Sequence, residues 1–310
     1  MRTTIPLEGQ PAPARRGVSW SARQRREGWL LVAPAVLLLL ALGVYPLVSS
    51  LLTSFRRWDL QSQETPFIGL ENYVAAAVDP RVWGSWSNTL SIVVAAVSLE
   101  LVLGFGLALL LMGDFRGKRF LLPLFMLPVM MVPVVVGLTW RMLWDNQYGP
   151  INHLLGLLAG RDVNILWLAH RDTALVAMIV TDVWQWTPFM LLILLAGLTA
   201  VNPELYEAAS LDGAGWWASL RDISLPGIAQ VAAVAVLFRA LDAFKIFDLV
   251  FMFTQGGPGT ATESVSWYIY QLGFRFFRLG YASAVSYIVV AILTVACTLY
   301  VARFVREAAG

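Results

Sequence analysis

The chain has 310 residues, of which 58% are hydrophobic and 14% are charged, and its formal net charge is +2. A soluble domain carries about 25% charged residues and about 45–50% apolar ones, so the composition excludes an ordinary soluble enzyme and indicates an integral membrane protein. The nearly balanced charge gives no support to nucleic-acid binding. A single cysteine excludes an intrachain disulfide and a cysteine-based metal site, and we predict neither a metal site nor catalytic residues.

Six apolar segments are long enough to cross a bilayer core of about 30 Å, which takes about 20 helical residues. They lie at about 29–55, 89–112, 120–144, 173–198, 228–254 and 281–305. An open strand cannot satisfy its backbone groups in lipid, so the segments are predicted to be helices. The predicted fold is all-α, with six transmembrane helices over 29–305, a basic disordered tail at 1–28 and a second tail at 306–310.

The distribution of lysine and arginine predicts that both termini face the cytoplasm. Twelve of these residues fall on the side of the N-terminus, seven fall in the opposite loops, and three lie within helices; cytoplasmic loops normally carry the excess. The connection at 199–227 then lies in the cytoplasm, although it holds one arginine against four acidic residues. In the first outer loop a short helix is predicted near 70–78.

The connection at 199–227 holds the most specific pattern of the chain. It reads Glu-Ala-Ala at 207–209, a glycine at 213 and Ile-Ser-Leu-Pro at 223–226. The pattern predicts a short helix that begins after Pro203, a break at Gly213 and a second helical stretch that ends at Pro226. Small residues let another surface approach closely, so this loop suits docking to a partner.

The spacing E-A-A-x3-G-x9-I-x-L-P resembles, at every fixed position, the coupling motif of ATP-binding-cassette (ABC) importer permeases. Other stretches resemble the carbohydrate-uptake branch of that family, and their order along the chain strengthens the resemblance. These stretches lie at 67–73, 127–140, 148–152, 184–188, 196–198 and 254–258. The run after Thr254 resembles the first permease subunit of maltose-, multiple-sugar- and glycerol-phosphate-type systems.

The resemblance implies a type I importer permease in the cell membrane, which forms half of a translocation pore with a second, homologous permease. Two ABC ATPase subunits would dock on the loop at 199–227, and an extracytoplasmic solute-binding protein would deliver a sugar of the maltose or trehalose type. The implied ATPase-coupling residues are Glu207, Ala208, Ala209, Asp212, Gly213, Leu225 and Pro226. Neither lysine of the chain lies in a G-x-x-x-x-G-K-[ST] loop, so ATP and magnesium are expected on the ATPases and no cofactor in this chain.

Ionisable residues within the predicted helices mark either cavities or buried pairs, because each costs about 2.5–3.5 kcal/mol at a helix centre. They are Glu100, Asp182, Arg239, Asp242, Lys245 and Asp248. Steps of three residues allow Arg239 to pair with Asp242, and Lys245 with Asp248. Internal salt bridges and cavity-lining roles both remain open here. For Asp242 the resemblance implies a cavity-facing role, because maltose-type permeases place a sugar-contacting polar residue at the matching position.

The fourth helix carries one stripe of polar and aromatic residues at helical spacing. The stripe consists of Asp182, Gln185, Trp186 and Phe189. Carboxylate and amide groups can bind sugar hydroxyls, aromatic faces can pack on a sugar ring, and the matching positions of maltose-type permeases line the substrate site. The alternative is a packed helix interface with one buried aspartate.

Three other functions remain open at this point. The same class of permease could import a polyol or a glycerol phosphate, although a phosphate ester favours unpaired cations that the aspartates here can neutralise. A stand-alone secondary transporter would leave the coupling motif without a use, and we find no inverted repeat. An intramembrane enzyme would require a nucleophile and a base, whereas these residues form pairs and a stripe.

Overall fold

The computed structural model describes the backbone at residues 22–59, 64–113 and 116–305. The tail at 306–310 and most of the tail at 1–28 lie outside the described residues. The chain divides into two compact units, residues 1–50 and 51–310. In chain order the α-helices are α1 (Ala22–Leu39), α2 (Tyr45–Ser54), α3 (Glu71–Val78), α4 (Pro80–Met112), α5 (Lys118–Met130), α6 (Pro133–Leu143), α7 (Pro150–Ala159), α8 (Arg171–Ala200), α9 (Pro203–Leu211), α10 (Trp216–Ser219), α11 (Leu225–Ala243), α12 (Asp248–Phe253), α13 (Val265–Tyr270) and α14 (Leu279–Tyr300).

Within the described ranges, five helical stretches are long and apolar enough to cross a membrane. They are Trp29–Ser54, Pro80–Met112, Arg171–Ala200, Trp216–Phe253 and Leu279–Phe304. The helix pair α5 and α6 makes a sixth if the two count as one span. Each of the six predicted segments coincides with one of these stretches, and the short helix predicted near 70–78 is α3.

The segment predicted as the third transmembrane helix, 120–144, consists of two helices with a break between them. Helices α5 and α6 meet at an angle of 95°, and the connecting Met131 and Val132 are extended. Pro133 explains the break, because proline lacks an N–H and disfavours a helical conformation in the residue before it. The Met131 carbonyl accepts a hydrogen bond from Gln185 Nε2 at 3.2 Å, which satisfies one backbone group that the break releases.

The connection at 199–227 begins as predicted but ends differently. Asn202 caps α9 by accepting a hydrogen bond from the Glu204 backbone N–H at 3.0 Å. After the turn at Gly213, α10 continues through a π-helical turn at Leu220–Ser224 into α11, so the prediction that Pro226 ends the helix is wrong. The Leu225 N–H donates to the Leu220 carbonyl five residues back, and this wider turn accommodates the proline. The loop is therefore continuous with the fifth span.

Helices α4, α8 and α11 pack against one another and form the buried centre of the second unit. Helices α4 and α8 approach closely at Gly104, where an added Cβ would lie 2.6 Å from the Cβ of Met190 on α8. A larger residue at this position would separate the two helices. Glu100 lies one turn before Gly104, so this close packing brings its carboxylate against α8 and α11.

Candidate functional site

A cluster of charged side chains lies between α4, α8 and α11. Arg239 on α11 donates from Nε and Nη2 to the two carboxylate oxygens of Glu100, at 2.8 and 2.9 Å. Its Nη2 also donates to Asp182 on α8. All three side chains are at most 8% exposed, so the three spans are joined by charge-assisted hydrogen bonds away from solvent.

Asp242 forms the exposed end of this cluster. One of its oxygens lies 3.7 Å from Arg239 Nη1 and the other lies 3.3 Å from Lys245 Nζ, and the aspartate side chain is 43% exposed. The predicted pair of Arg239 with Asp242 is therefore present. Lys245 pairs with Asp242 rather than with Asp248, because the helix breaks after Ala243 and Asp248 begins α12. Asp248 therefore lies at the N-terminus of α12, where the helix dipole favours a negative charge.

The residues of the predicted stripe on α8 differ in how deeply they are buried. Asp182 and Gln185 are buried and bind Arg239 and the Met131 carbonyl respectively. Trp186 is half-buried, and its ring lies 4.9 Å from the Arg239 guanidinium carbon. The Phe189 ring lies edge-on to Trp186 at 6.2 Å. Trp186 and Asp242, which both lie next to Arg239, are therefore the most accessible polar members of the predicted solute site.

The predicted coupling residues lie mostly on exposed surfaces. Helix α9 carries Glu207 and Ala208 exposed and Ala209 half-buried, and Asp212, Gly213, Leu225 and Pro226 are exposed. Gly213 has a φ of +76° with open space around it, and its N–H donates to the Ser210 carbonyl at 3.1 Å. A left-handed glycine at this place ends α9 and turns the chain.

Helix α9 is also linked to the fifth span through a side chain. The Tyr206 hydroxyl lies 3.0 Å from the Ser224 hydroxyl, which is buried in the π-helical turn. A displacement of α9 would therefore reach α11 both through this contact and through the continuous backbone from α10.

Two larger cavities lie away from the charge cluster. One of about 890 Å³ is bordered by the polar segment that includes Asn146, Asn152 and Arg161. Another of about 790 Å³ is an apolar groove between α4, α5 and α8, lined by residues such as Leu103, Pro128 and Trp184. The apolar groove lacks charged groups, and such a surface suits lipid or another helix better than a sugar.

The sequence matches one family model over most of the described structure. Residues 100–307 match the "Binding-protein-dependent transport system inner membrane component". The chain belongs to this family. The chain is therefore an ABC transporter permease and a multi-pass membrane protein, with the type I importer fold that the sequence predicts, and the family is a transport component rather than an enzyme.

Known relatives cover nearly the whole chain. The trehalose/maltose transport system permease protein MalF of Thermococcus litoralis is 34% identical over 258 residues, which are 83% of this chain and 85% of the relative. The trehalose transport system permease protein SugA of Mycobacterium tuberculosis is 35% identical over 288 residues, 93% and 91% of the two chains. The crystal structure of a bacterial ABC transporter for the acidic polysaccharide alginate matches with a TM-score of 0.77 at 22% identity, covering 90% of this chain and 96% of that one.

The reasoning from sequence missed the partner of the buried arginine. The sequence shows Glu100 only as an acidic residue within an apolar helix, 139 residues before Arg239. A usable signal was present, because the second predicted helix contains an acid without any base within one turn. Such a residue needs a partner on another helix.

Proposed function

We propose that this permease forms half of the pore of an ATP-driven sugar importer for a disaccharide or oligosaccharide of the maltose or trehalose type. The observation that carries the proposal is the agreement of two relatives, each above 30% identity and more than 80% coverage, that are described as trehalose or trehalose/maltose permeases. A second permease completes the pore, and an extracytoplasmic binding protein delivers the sugar. Both termini face the cytoplasm.

The ATPases dock on the loop at 199–227 and supply all of the ATP chemistry, with no cofactor bound in this chain. Exposed Glu207 and Ala208, the left-handed turn at Gly213, and the continuous path from α10 to α11 support this assignment. Closure of the ATPases would move α9, and the rigid connection would transmit that motion to the charge cluster on α11.

The solute site lies at Asp182, Gln185, Trp186, Phe189 and Asp242. Trp186 and Asp242 are accessible enough to contact the sugar, by ring packing and by hydrogen bonding. Asp182 and Gln185 lie beneath them, where they bind Arg239 and Met131. Asp182 and Gln185 thereby position the side chains that contact the sugar.

Replacing the accessible residues tests this site. Asp242→Ala should lower sugar uptake by reconstituted complexes by about tenfold or more, since a hydrogen bond to a charged group contributes about 1.5–3 kcal/mol. Trp186→Ala should also lower uptake, because it removes the ring that packs on the sugar. Trp184→Ala and Asp248→Ala are the matched controls, because Trp184 faces the apolar groove and Asp248 begins α12. Co-purification of the ATPases should be scored first. Wild-type uptake by both test variants would place the sugar site elsewhere.

The turn at Gly213 gives a second test, directed at the coupling loop. Gly213→Val forces a β-branched residue into a left-handed conformation, which costs about 1–3 kcal/mol, and should weaken retention of the ATPases on the purified permease. Gly215→Val is the control, because Gly215 has a φ of −75° and open space around its Cα. Equal ATPase retention by the two variants would contradict the assigned role of this turn.

A further inference from the structure

Arg239 is surrounded by more negative charge than it carries. Both oxygens of Glu100 and one oxygen of Asp182 accept hydrogen bonds from it, and Asp242 lies 3.7 Å away. The other nearby cation, Lys245, is 73% exposed and faces Asp242. Three carboxyl groups thus meet two cations, and only one of these cations is buried. The cluster has no positive charge left over for an anionic ligand.

One nitrogen of the guanidinium, Arg239 Nη1, is buried and has no hydrogen-bond partner within the part of the chain that the structure describes. It faces Asp242, the exposed end of the cluster. A solute that approaches Arg239 from this exposed end meets the Asp242 carboxylate first. A hydroxyl group can donate to that carboxylate, whereas an anion is repelled by it at short range.

The two buried carboxylates also fix the orientation of the arginine. Two parallel hydrogen bonds to Glu100 hold the planar guanidinium in one plane, and its central carbon lies over the Trp186 ring, 4.9 Å from the ring centroid. The surroundings of the indole ring on α8 therefore depend on the pair that Arg239 forms with Glu100 on the neighbouring helix α4.

We propose that Glu100 and Asp182 set the charge specificity of the solute site: together they more than offset the charge of Arg239, so that the site accepts uncharged saccharides and excludes anionic ones. This inference rests on the proposed function, because it takes Trp186 and Asp242 as the solute-contacting residues. Glu100 does not touch the solute. It is a positioning residue that acts through Arg239, and it adds a specificity role to an otherwise structural ion pair.

The test uses Glu100→Gln in the full complex of permeases and ATPases, purified without the binding protein. Glutamine retains the shape and an acceptor oxygen but removes one negative charge. The readout is the retention of labelled maltose or trehalose, in competition with maltobionamide and with maltobionate. These two competitors differ only in a carboxamide and a carboxylate. The wild type should prefer the amide, and the variant should shift the ratio of the two inhibition constants toward the acid by at least about tenfold.

Glu263→Gln is the control, because the buried Glu263 also accepts two hydrogen bonds from one arginine, the partly exposed Arg81, at 2.8 Å for both bonds and outside the cluster. The ratio of inhibition constants should not change in this variant. Asp182→Asn removes the other buried charge and should shift the ratio in the same direction as Glu100→Gln. If either variant assembles and its ratio equals that of the wild type, the inference is wrong. Failure of both variants to assemble also overturns the inference, because a cluster with more carboxylates than cations must tolerate the loss of one negative charge.

Two outcomes for the wild type separate this inference from the proposed function. A wild-type complex that binds the labelled sugar but does not distinguish the amide from the acid contradicts the charge specificity alone. A complex that assembles with its ATPases and retains neither labelled sugar contradicts the sugar assignment, and the charge specificity falls with it.

Discussion

Arg239→Met should be the most damaging single substitution in the second unit. It leaves the carboxyl groups of Glu100 and Asp182 buried without their common partner, and breaking a buried pair in this way costs about 3–5 kcal/mol. We expect the purified complex to unfold at a clearly lower temperature, or the permease to fail to retain its ATPases. Thermal unfolding followed by near-ultraviolet circular dichroism measures the first effect, and co-purification measures the second.

A rescue variant and a surface control make this test specific. The triple variant Arg239→Met, Glu100→Gln, Asp182→Asn removes all three charges and should recover most of the lost stability. Arg57→Met breaks an exposed pair, with Glu71 at 2.7 Å, and should change the free energy of unfolding by no more than about 1 kcal/mol. If Arg239→Met behaves like Arg57→Met, the buried cluster does not hold the three helices together.

Glu207→Lys should abolish coupling while leaving the permease folded. Glu207 is exposed on α9, so the substitution disturbs no buried contact. A charge reversal within a docked interface costs about 2–5 kcal/mol, which is more than tenfold in the population of the docked state. We therefore expect the stimulation of ATPase activity by the loaded binding protein to fall at least about tenfold in proteoliposomes.

Asp222→Lys is the control for this prediction, because Asp222 is 69% exposed and lies in the same connection, outside the Glu-Ala-Ala block. Its charge change is identical, so a general electrostatic effect on the membrane surface would appear in both variants. Normal stimulation and uptake in Glu207→Lys would remove α9 from the coupling interface.

The helices could be predicted from the sequence because each span had to be about 20 apolar residues long, and the connection at 199–227 stood out because the spacing of its motif is specific. The sequence pattern did not show which prolines break a helix and which ones a helix accommodates. Pro133 and Pro226 have the same chemistry, but the first breaks its helix and the second does not. The π-helical turn before Pro226 accommodates the missing N–H, and whether such a turn forms depends on the packing around it.

The residues of the candidate site could be selected from the sequence, but the contacts that they make between helices could not. Helical spacing identified the stripe on α8 and the neighbours of Arg239 on its own helix, because neighbours three and four residues apart share a face. The bonds from Arg239 to Glu100 and Asp182, and from Gln185 to the Met131 carbonyl, join residues on different helices. Periodicity within one helix carries no information about them.

The order of the buried acids and their base along the chain has a consequence for biogenesis. Glu100 precedes Arg239 by 139 residues and Asp182 precedes it by 57, so at 5 to 20 residues per second Glu100 is made about 7 to 28 s before its partner. A carboxyl group can take up a proton and enter the lipid uncharged, whereas a guanidinium cannot lose its charge. Helices α4 and α8 can therefore insert as neutral spans before α11 is synthesised. Arg239, which must enter the bilayer charged, is synthesised after both of the acidic residues that accept its hydrogen bonds.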